Sequence, residues 1–383
     1  MTAFFRYALR SLGRRPLTAM LLAVALGVAF GLPGAVRAVV TAFERELTAR
    51  ADAAPLVLGA AGSRSDLVLH ALYFRNDPPG EISLADKKEL DREQLAETIP
   101  LCVRATVRGV PVVGTDGGYF KLRKLTLESG GPIARLADCV LGSDAARRLD
   151  LAAGDTVATD PKSLFATGGG VPVRLRITGV MAPTGTADDG AAFVDLETAW
   201  LIAGLGHAHT SKSATHTHAD GQSPAPSGFI EVTDENVKRF HFHGNSDRFP
   251  LTAVIAVPPD KESRLLLVGR YAGRKEGTSL AESDIVLRDL LGVAIRLRRL
   301  FDVNAAVAGV ATLLLSGAVL SLTVRLRQAE MQTMSRLGLS RLRIAALFGV
   351  EFVLIALAAA AIALALTFAA TFAAPALFRW LVL

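Results

Sequence analysis

RLRQAEMQTMSRLGLSRLR, residues 325–343, lies between two long apolar segments near the C-terminus. It carries Arg325, Arg327, Arg336, Arg341 and Arg343 against one acid, Glu330. Basic residues beside membrane spans stay on the cytoplasmic side. The stretch therefore reads as a cytoplasmic turn between two transmembrane helices, and that reading sets the fold class. Met331, Met334 and Leu337 recur at helical spacing, and Gly338 then stops that helix. A short helix with an apolar stripe and basic flanks suits the docking of a soluble partner. On composition alone, an ordinary loop obeying the same charge rule fits equally.

Working outward, the apolar segments on either side are transmembrane candidates, at 301–324 and 344–374. The third span carries Glu351 near its cytoplasmic start; an acid there faces protein or water, or snorkels to the interface. Its alanine-rich part, 357–374, permits close helix packing. The first apolar run, within 17–40, has no charge from 17 to 36. Before it, Arg6, Arg10 and Arg14 fall on one helical face and Phe4, Phe5, Ala8, Leu9 and Leu12 on the other. Residues 1–16 thus read as an amphipathic cytoplasmic helix. A cleaved signal peptide competes, against a long apolar region and an extended basic lead. Gly31, Pro33 and Gly34 are candidates for a kink. Chain direction then puts the N-terminus inside, residues 41–300 outside, the basic turn inside and a tail, 375–383, outside.

Composition agrees with a membrane protein. Of 383 residues 51% are hydrophobic, the net charge is +6, and the apolar residues are concentrated. The basic excess lies beside apolar segments, where topology signals and anionic lipid contacts are expected, so it gives no sign of nucleic-acid binding. Cys102 and Cys139 both sit in apolar runs of the outer insert, which favours buried thiols over a disulfide.

The insert reads as soluble α+β. Strands are expected at 56–59, 67–72, 101–107, 111–113, 139–141, 155–158, 171–180 and 192–194. Helices are expected at 86–98 and, opening on Ser143 as N-cap, at 143–149. Residues 283–300 have helical periodicity and form a stalk into the second span. Six of the seven histidines fall in a loop-like region, 203–246, as three His-x-His pairs: His207 and His209, His216 and His218, His241 and His243. Residues i and i+2 of an extended chain share a face, so each pair suits one ion, with zinc the first candidate. Asp220, Glu231 and Asp234 are candidate oxygen ligands. The competing reading is a polar low-complexity loop. His70, alone in LVLHALYF, reads as a core histidine.

This pattern resembles the MacB/FtsX-type (LolC/E-like) ABC transporter permeases. The opening FFRYALRSLGRRPLTAMLLAVALGVAF (4–30) looks like their first helix and span. GTDGGYFKLRKLTLESGG (114–131), VLGSDAARRLDLAAGDTV (140–157) and ITGVMAPTGTADDGAAFVDLETAW (177–200) look like their extracytoplasmic core. The turn from Glu330 to Ile344 is similar to the family's coupling helix, and Glu351 matches an acid common early in its third span. Members usually carry a fourth span. Here only 375–383 follows the third, which implies a three-span variant, a truncated chain or a helix supplied by a partner.

The resemblance implies a permease subunit of the inner membrane that works as a dimer with a second permease copy or paralogue. A cytoplasmic ATPase pair binds ATP and Mg2+, and its motion reaches the outer domain. In that scheme Glu330 and Arg341 make charged contacts to the ATPase, Met331, Met334 and Leu337 fill its groove, and Gly338 ends the helix. The chain has no GxxxxGK[ST], so it lacks the phosphate loop of an ATPase. The expected function is export, extraction or release of a substrate, with a link to zinc or another transition metal. The alternative is an FtsX-like signalling protein that activates an extracytoplasmic protein; what binds the outer domain discriminates the two. An enzyme is disfavoured, because neither HExxH nor GxSxG occurs.

Overall fold

A computed structural model describes residues 6, 10, 13, 16–161, 171–208, 229–233, 235–242, 244–272, 277–326, 328–336 and 340–382. The chain forms two compact units, Met1–Glu46 with Leu291–Phe378, and Leu47–Leu290 with Arg379–Leu383.

The second unit begins in the last turns of helix α1 (Pro16–Ala53). Strand β1 (Leu56–Ala60) follows and is buried throughout. Next comes α2 (Arg64–Tyr73), where a strand is expected at 67–72. The helix forms because the Ser63 hydroxyl accepts from the Asp66 amide, capping the first turn. Leu67, Val68, Ala71 and Leu72 then share one buried helical face. Strand β2 (Ile82–Ser83) leads into α3 (Leu84–Arg92), opened by a capping box between Ser83 and Asp86. This helix is shorter than the expected 86–98, since the apolar run through Pro100 joins β3 (Glu97–Val107).

The unit continues through β4 (Val110–Thr115), α4 (Gly117–Arg123), β5 (Leu127–Gly130), β6 (Asp138–Leu141), α5 (Ser143–Leu149), β7 (Thr156–Ala158), β8 (Val173–Met181), β9 (Ala192–Asp195) and α6 (Leu196–Ile202). Gly142, not Ser143, is the N-cap of α5: Ser143 is already helical, and its buried hydroxyl caps nothing. Then come β10 (Gly206–Ala208), β11 (Ile230–Glu231), β12 (Phe240–Phe242), β13 (Pro250–Leu251), β14 (Ala253–Val257), α7 (Lys261–Ala272) and β15 (Thr278–Glu282).

The main sheet runs β11-β8-β6-β9-β4-β3-β14-β1-β15, with β5 and β7 also on β8. It is mixed: β4–β9, β6–β8 and β8–β11 are parallel and the other pairings antiparallel. Its inward residues, among them Leu56, Leu58, Leu141, Leu175 and Ile177, form one core. Cys102 on β3 and Cys139 on β6 are both buried, and neither is in a disulfide. Strands β4 and β9 lie between them, a spacing of about 14 Å, beyond the reach of a disulfide. Burial, helped by Asp138, pushes the Cys139 thiol up to about 12.

The first unit consists of the rest of α1, with α8 (Ser283–Leu326) from Leu291 onward, α9 (Gln328–Arg336) and α10 (Arg341–Val382) as far as Phe378. Among the described residues, three helices are long and apolar enough to cross a membrane, over stretches within Ala19–Ala53, Arg299–Ala318 and Gly349–Ala374. Helix α1 stays helical through Pro33, and α8 is unbroken from Ser283. Helix α10 runs on to Val382 instead of ending at 374, because PALFRWLV contains no glycine or polar cap to stop it. Close packing of α1 on α10 depends on glycine: a Cβ at Gly27, Gly31 or Gly34 would lie 2.7 Å from Ile362, Ala363 or Thr367. Arg37 and Asp302 form an ion pair at 3.1 Å.

Candidate functional site

The last turn of α1 brings Arg50 into the sheet unit, where the residue is 4% exposed. Its guanidinium donates to both oxygens of Asp188, each at 2.9 Å, and its Nε donates to the Leu72 carbonyl at the end of α2. The rings of Tyr73 and Phe74 lie 5.4 and 5.9 Å from the guanidinium carbon. Tyr119 on α4 donates to Asp188 Oδ1 at 2.6 Å, and Thr186 Oγ1 donates to Oδ2 at 3.0 Å. Arg123, one turn on along α4, donates to the Arg50 carbonyl at 3.3 Å and lies over the Tyr119 ring. One helix end is thus held by α2, α4 and the turn carrying Asp188.

That turn is a short 3-10 helix, Ala187–Gly190, capped by Thr186. The neighbouring Asp189 is also buried and accepts from the amides of Thr184 and Gly185. The turn closes on Gly142, where a Cβ would lie 2.3 Å from the carbonyls of both Asp188 and Asp189. Phe193 on β9 packs tilted against Tyr119 and edge-on against Phe120, at 5.6 Å each, and edge-on against Phe74 at 6.0 Å.

For Asp188, burial is the largest influence and pushes its pKa up. The Arg50 charge, the Arg50 hydrogen bonds, Arg123 and Tyr119 outweigh it and hold the carboxyl down at about 2. Burial likewise works against the Arg50 cation, but Asp188 more than compensates and the pKa is raised. Tyr119 is raised by burial and then by Asp188, so it stays a donor. Arg123 is lowered by burial and then by Arg50. Arg50 grips the carboxylate directly, whereas Arg123 acts on it only through its charge, and Arg123 Nε and Nη2 are buried without a hydrogen-bond partner among the described residues.

A pH dependence follows. Asp188 titrates lower folded than unfolded, so its stabilisation is complete above the unfolded value of 3.8 and is lost as pH falls through about 2. The loss is on the order of 2 kcal/mol. Denaturant titrations of the full chain between pH 5 and 2 should show this slope, and Asp188→Asn should flatten it; an equal slope in the variant contradicts the assignment.

A profile of the MacB-like periplasmic core domain matches residues 17–234, more than half of the chain. The chain belongs to this family, the MacB/FtsX-type ABC transporter permeases. Among solved structures, it is similar to the periplasmic region of MacB from Actinobacillus actinomycetemcomitans at 12% identity. That match covers 61% of this chain and 91% of the other, with a TM-score of 0.34. The extracellular domain of the noncanonic ABC-type transporter YknZ from Gram-positive bacteria is similar at 12% identity, over 59% and 98%, with a TM-score of 0.33. No curated protein matches.

In this MacB-type permease chain, Glu330, Met331 and Met334 lie on α9, and Arg341 opens α10. Leu337 and Gly338 fall outside the described residues, and the described helix closes at Arg336. Glu351 is 9% exposed within α10. Strands β10 and β12 pair antiparallel with His207 opposite His241, bringing together residues from two of the three His-x-His pairs. His209, His216, His218 and His243 lie outside the described residues, as do Asp220 and Asp234. Glu231 pairs with Arg174 at 3.2 Å. Among the described residues no group of three or more His, Cys, Asp or Glu side chains is arranged to hold a metal. His70 is a core residue, 3% exposed, donating from Nδ1 to the Asn76 carbonyl at 2.8 Å. Burial lowers its pKa.

Proposed function

We propose that this permease chain passes the motion of a separate cytoplasmic ATPase pair to its periplasmic domain, driving export, extraction or release of a substrate at the outer face. The observation that carries the reading is the burial of Arg50. Helix α1 includes a membrane-span candidate, and its last turn ends in a desolvated ion pair at the heart of the sheet unit. Breaking such a pair costs about 3–5 kcal/mol, so a displacement of α1 carries α2, α4 and the Asp188 turn with it instead of slipping past them. The second connection, α8, is also one unbroken helix.

In this reading the N-terminus and α9 face the cytoplasm, in keeping with the arginines around them. The ATPase, loaded with ATP and Mg2+, docks on Met331, Met334 and Leu337, with Glu330 and Arg341 at the rim and Gly338 ending the contact helix. The assembly is a dimer in the inner membrane. Zinc, weakly held, is the proposed ion of the histidine segment, supported by the register of His207 and His241; calorimetric titration of the full chain should lose the zinc signal when both are alanine, and an unchanged isotherm rejects the site.

The test of the permease reading is deletion of residues 330–343. ATP turnover by the reconstituted complex should fall to that of the ATPase alone, while the sheet unit keeps its circular dichroism. Turnover that stays coupled to the permease after the deletion sinks the docking assignment.

A further inference from the structure

Helix α4 has a second face. Tyr119 and Arg123 serve the Arg50 ion pair, whereas Gly117 and Phe120 line a cavity of about 380 Å3. The cavity lies where the parallel strands β4 and β9 end, at Thr115 and Asp195. Its wall is apolar, with Phe120, Leu127, Ile133 and Val140. Two carboxylates also line it, Asp116 and Asp195. Among the described residues neither is in an ion pair; the nearby Arg176 is taken by Asp138. Asp116 Oδ1 accepts from the Gly118 amide and Asp195 Oδ1 from the Thr198 amide, so each carboxylate is fixed in place by capping a helix.

This combination selects a ligand class. The volume is at the lower end of ordinary small-molecule pockets, about 300–1,000 Å3. An apolar wall rejects a hydrated ion, and two acidic groups reject an anion. Asp195 is half-buried, and burial raises its pKa against the opposing Thr198 hydrogen bonds, so a cation brought beside it relieves a desolvation cost. The Phe120 ring adds a cation-attracting face.

We propose that this cavity binds a compact apolar cation, a protonated amine on a small ring or branched hydrocarbon. The hydrocarbon packs on Phe120, Leu127, Ile133 and Val140, and the ammonium is held by Asp116 and Asp195. The site goes beyond the permease reading, and binding is measured without ATP or an ATPase.

The experiment titrates the full chain in nanodiscs, with empty nanodiscs as control, using cyclohexylmethylamine and its neutral counterpart cyclohexylmethanol. The amine should bind saturably at one site, and the alcohol at least about tenfold more weakly, the difference between a charged and a neutral hydrogen bond. Asp195→Asn and Asp116→Asn keep the helix caps, since asparagine caps as well as aspartate. Each should weaken the amine about tenfold and leave the alcohol unchanged, which also reports an intact fold. Ile133→Trp, in the loop between β5 and β6, should fill the cavity and abolish both. Equal binding of amine and alcohol, amine binding that survives Ile133→Trp, or no saturable binding above the control overturns the proposal.

Discussion

Arg50→Ala lowers the stability of the sheet unit by about 3–5 kcal/mol. The cost is not the ion pair itself, which burial nearly cancels. It is the Asp188 carboxylate, 1% exposed, left in the core without its bidentate partner. Tyr119 and Thr186 still donate to it, but Arg123 has no direct hydrogen bond to Asp188. Arg50→Ala with Asp188→Leu should recover more than half of the loss, because the stranded charge is then gone. Urea unfolding followed by the fluorescence of Trp200, a buried residue of the same sheet unit, measures both variants. A cost below about 1 kcal/mol for the single variant would place the pair with exposed salt bridges and remove the basis for an anchored helix.

Gly142→Ala, one added methyl group, should cost about 3 kcal/mol. The new Cβ meets backbone carbonyls at 2.3 Å, not the tip of a flexible side chain, so the whole Asp188 turn has to move. Its φ is the ordinary −65°, so the cost is steric and not conformational. The signature separating it from general damage is a coupled loss at Asp188: the variant should also lose the stability slope between pH 4 and 2. A variant of normal stability with the slope intact contradicts the close approach.

How much of this is legible in the sequence follows from the range of each signal. The apolar helices are legible because crossing a bilayer is a property of about twenty consecutive residues. The strands at Leu56–Ala60, Asp138–Leu141 and Ala192–Asp195 are legible for the same local reason. Residues 67–72 are not, because a six-residue apolar run fits either period, and the deciding atom is the Ser63 hydroxyl outside it. The Arg50 site is invisible locally. Arg50 follows a long apolar segment, where arginines are ordinary, and its partner sits 138 positions away in TADDG, which reads as a turn. The adjacent Asp188 and Asp189, both buried, were the only local hint, since a turn exposed to water has no need of two caged carboxylates. The cavity beside α4 is hidden in the same way: Asp116 and Asp195 are far apart in the sequence, and only the parallel register of β4 and β9 brings them to one place.

The measurement that tests the anchored-helix account most directly is hydrogen exchange of α2 and α4 in the permease reconstituted with its ATPase, with and without ATP, in the wild type and in Arg50→Lys. Lysine keeps the charge but loses the fork that grips both oxygens of Asp188. The account predicts an ATP-dependent change in exchange over Arg64–Tyr73 and Gly117–Arg123 in the wild type. In Arg50→Lys that change should vanish while ATP turnover continues. The same ATP-dependent change in both proteins would mean that the motion reaches the sheet unit without Arg50, and the account would be wrong.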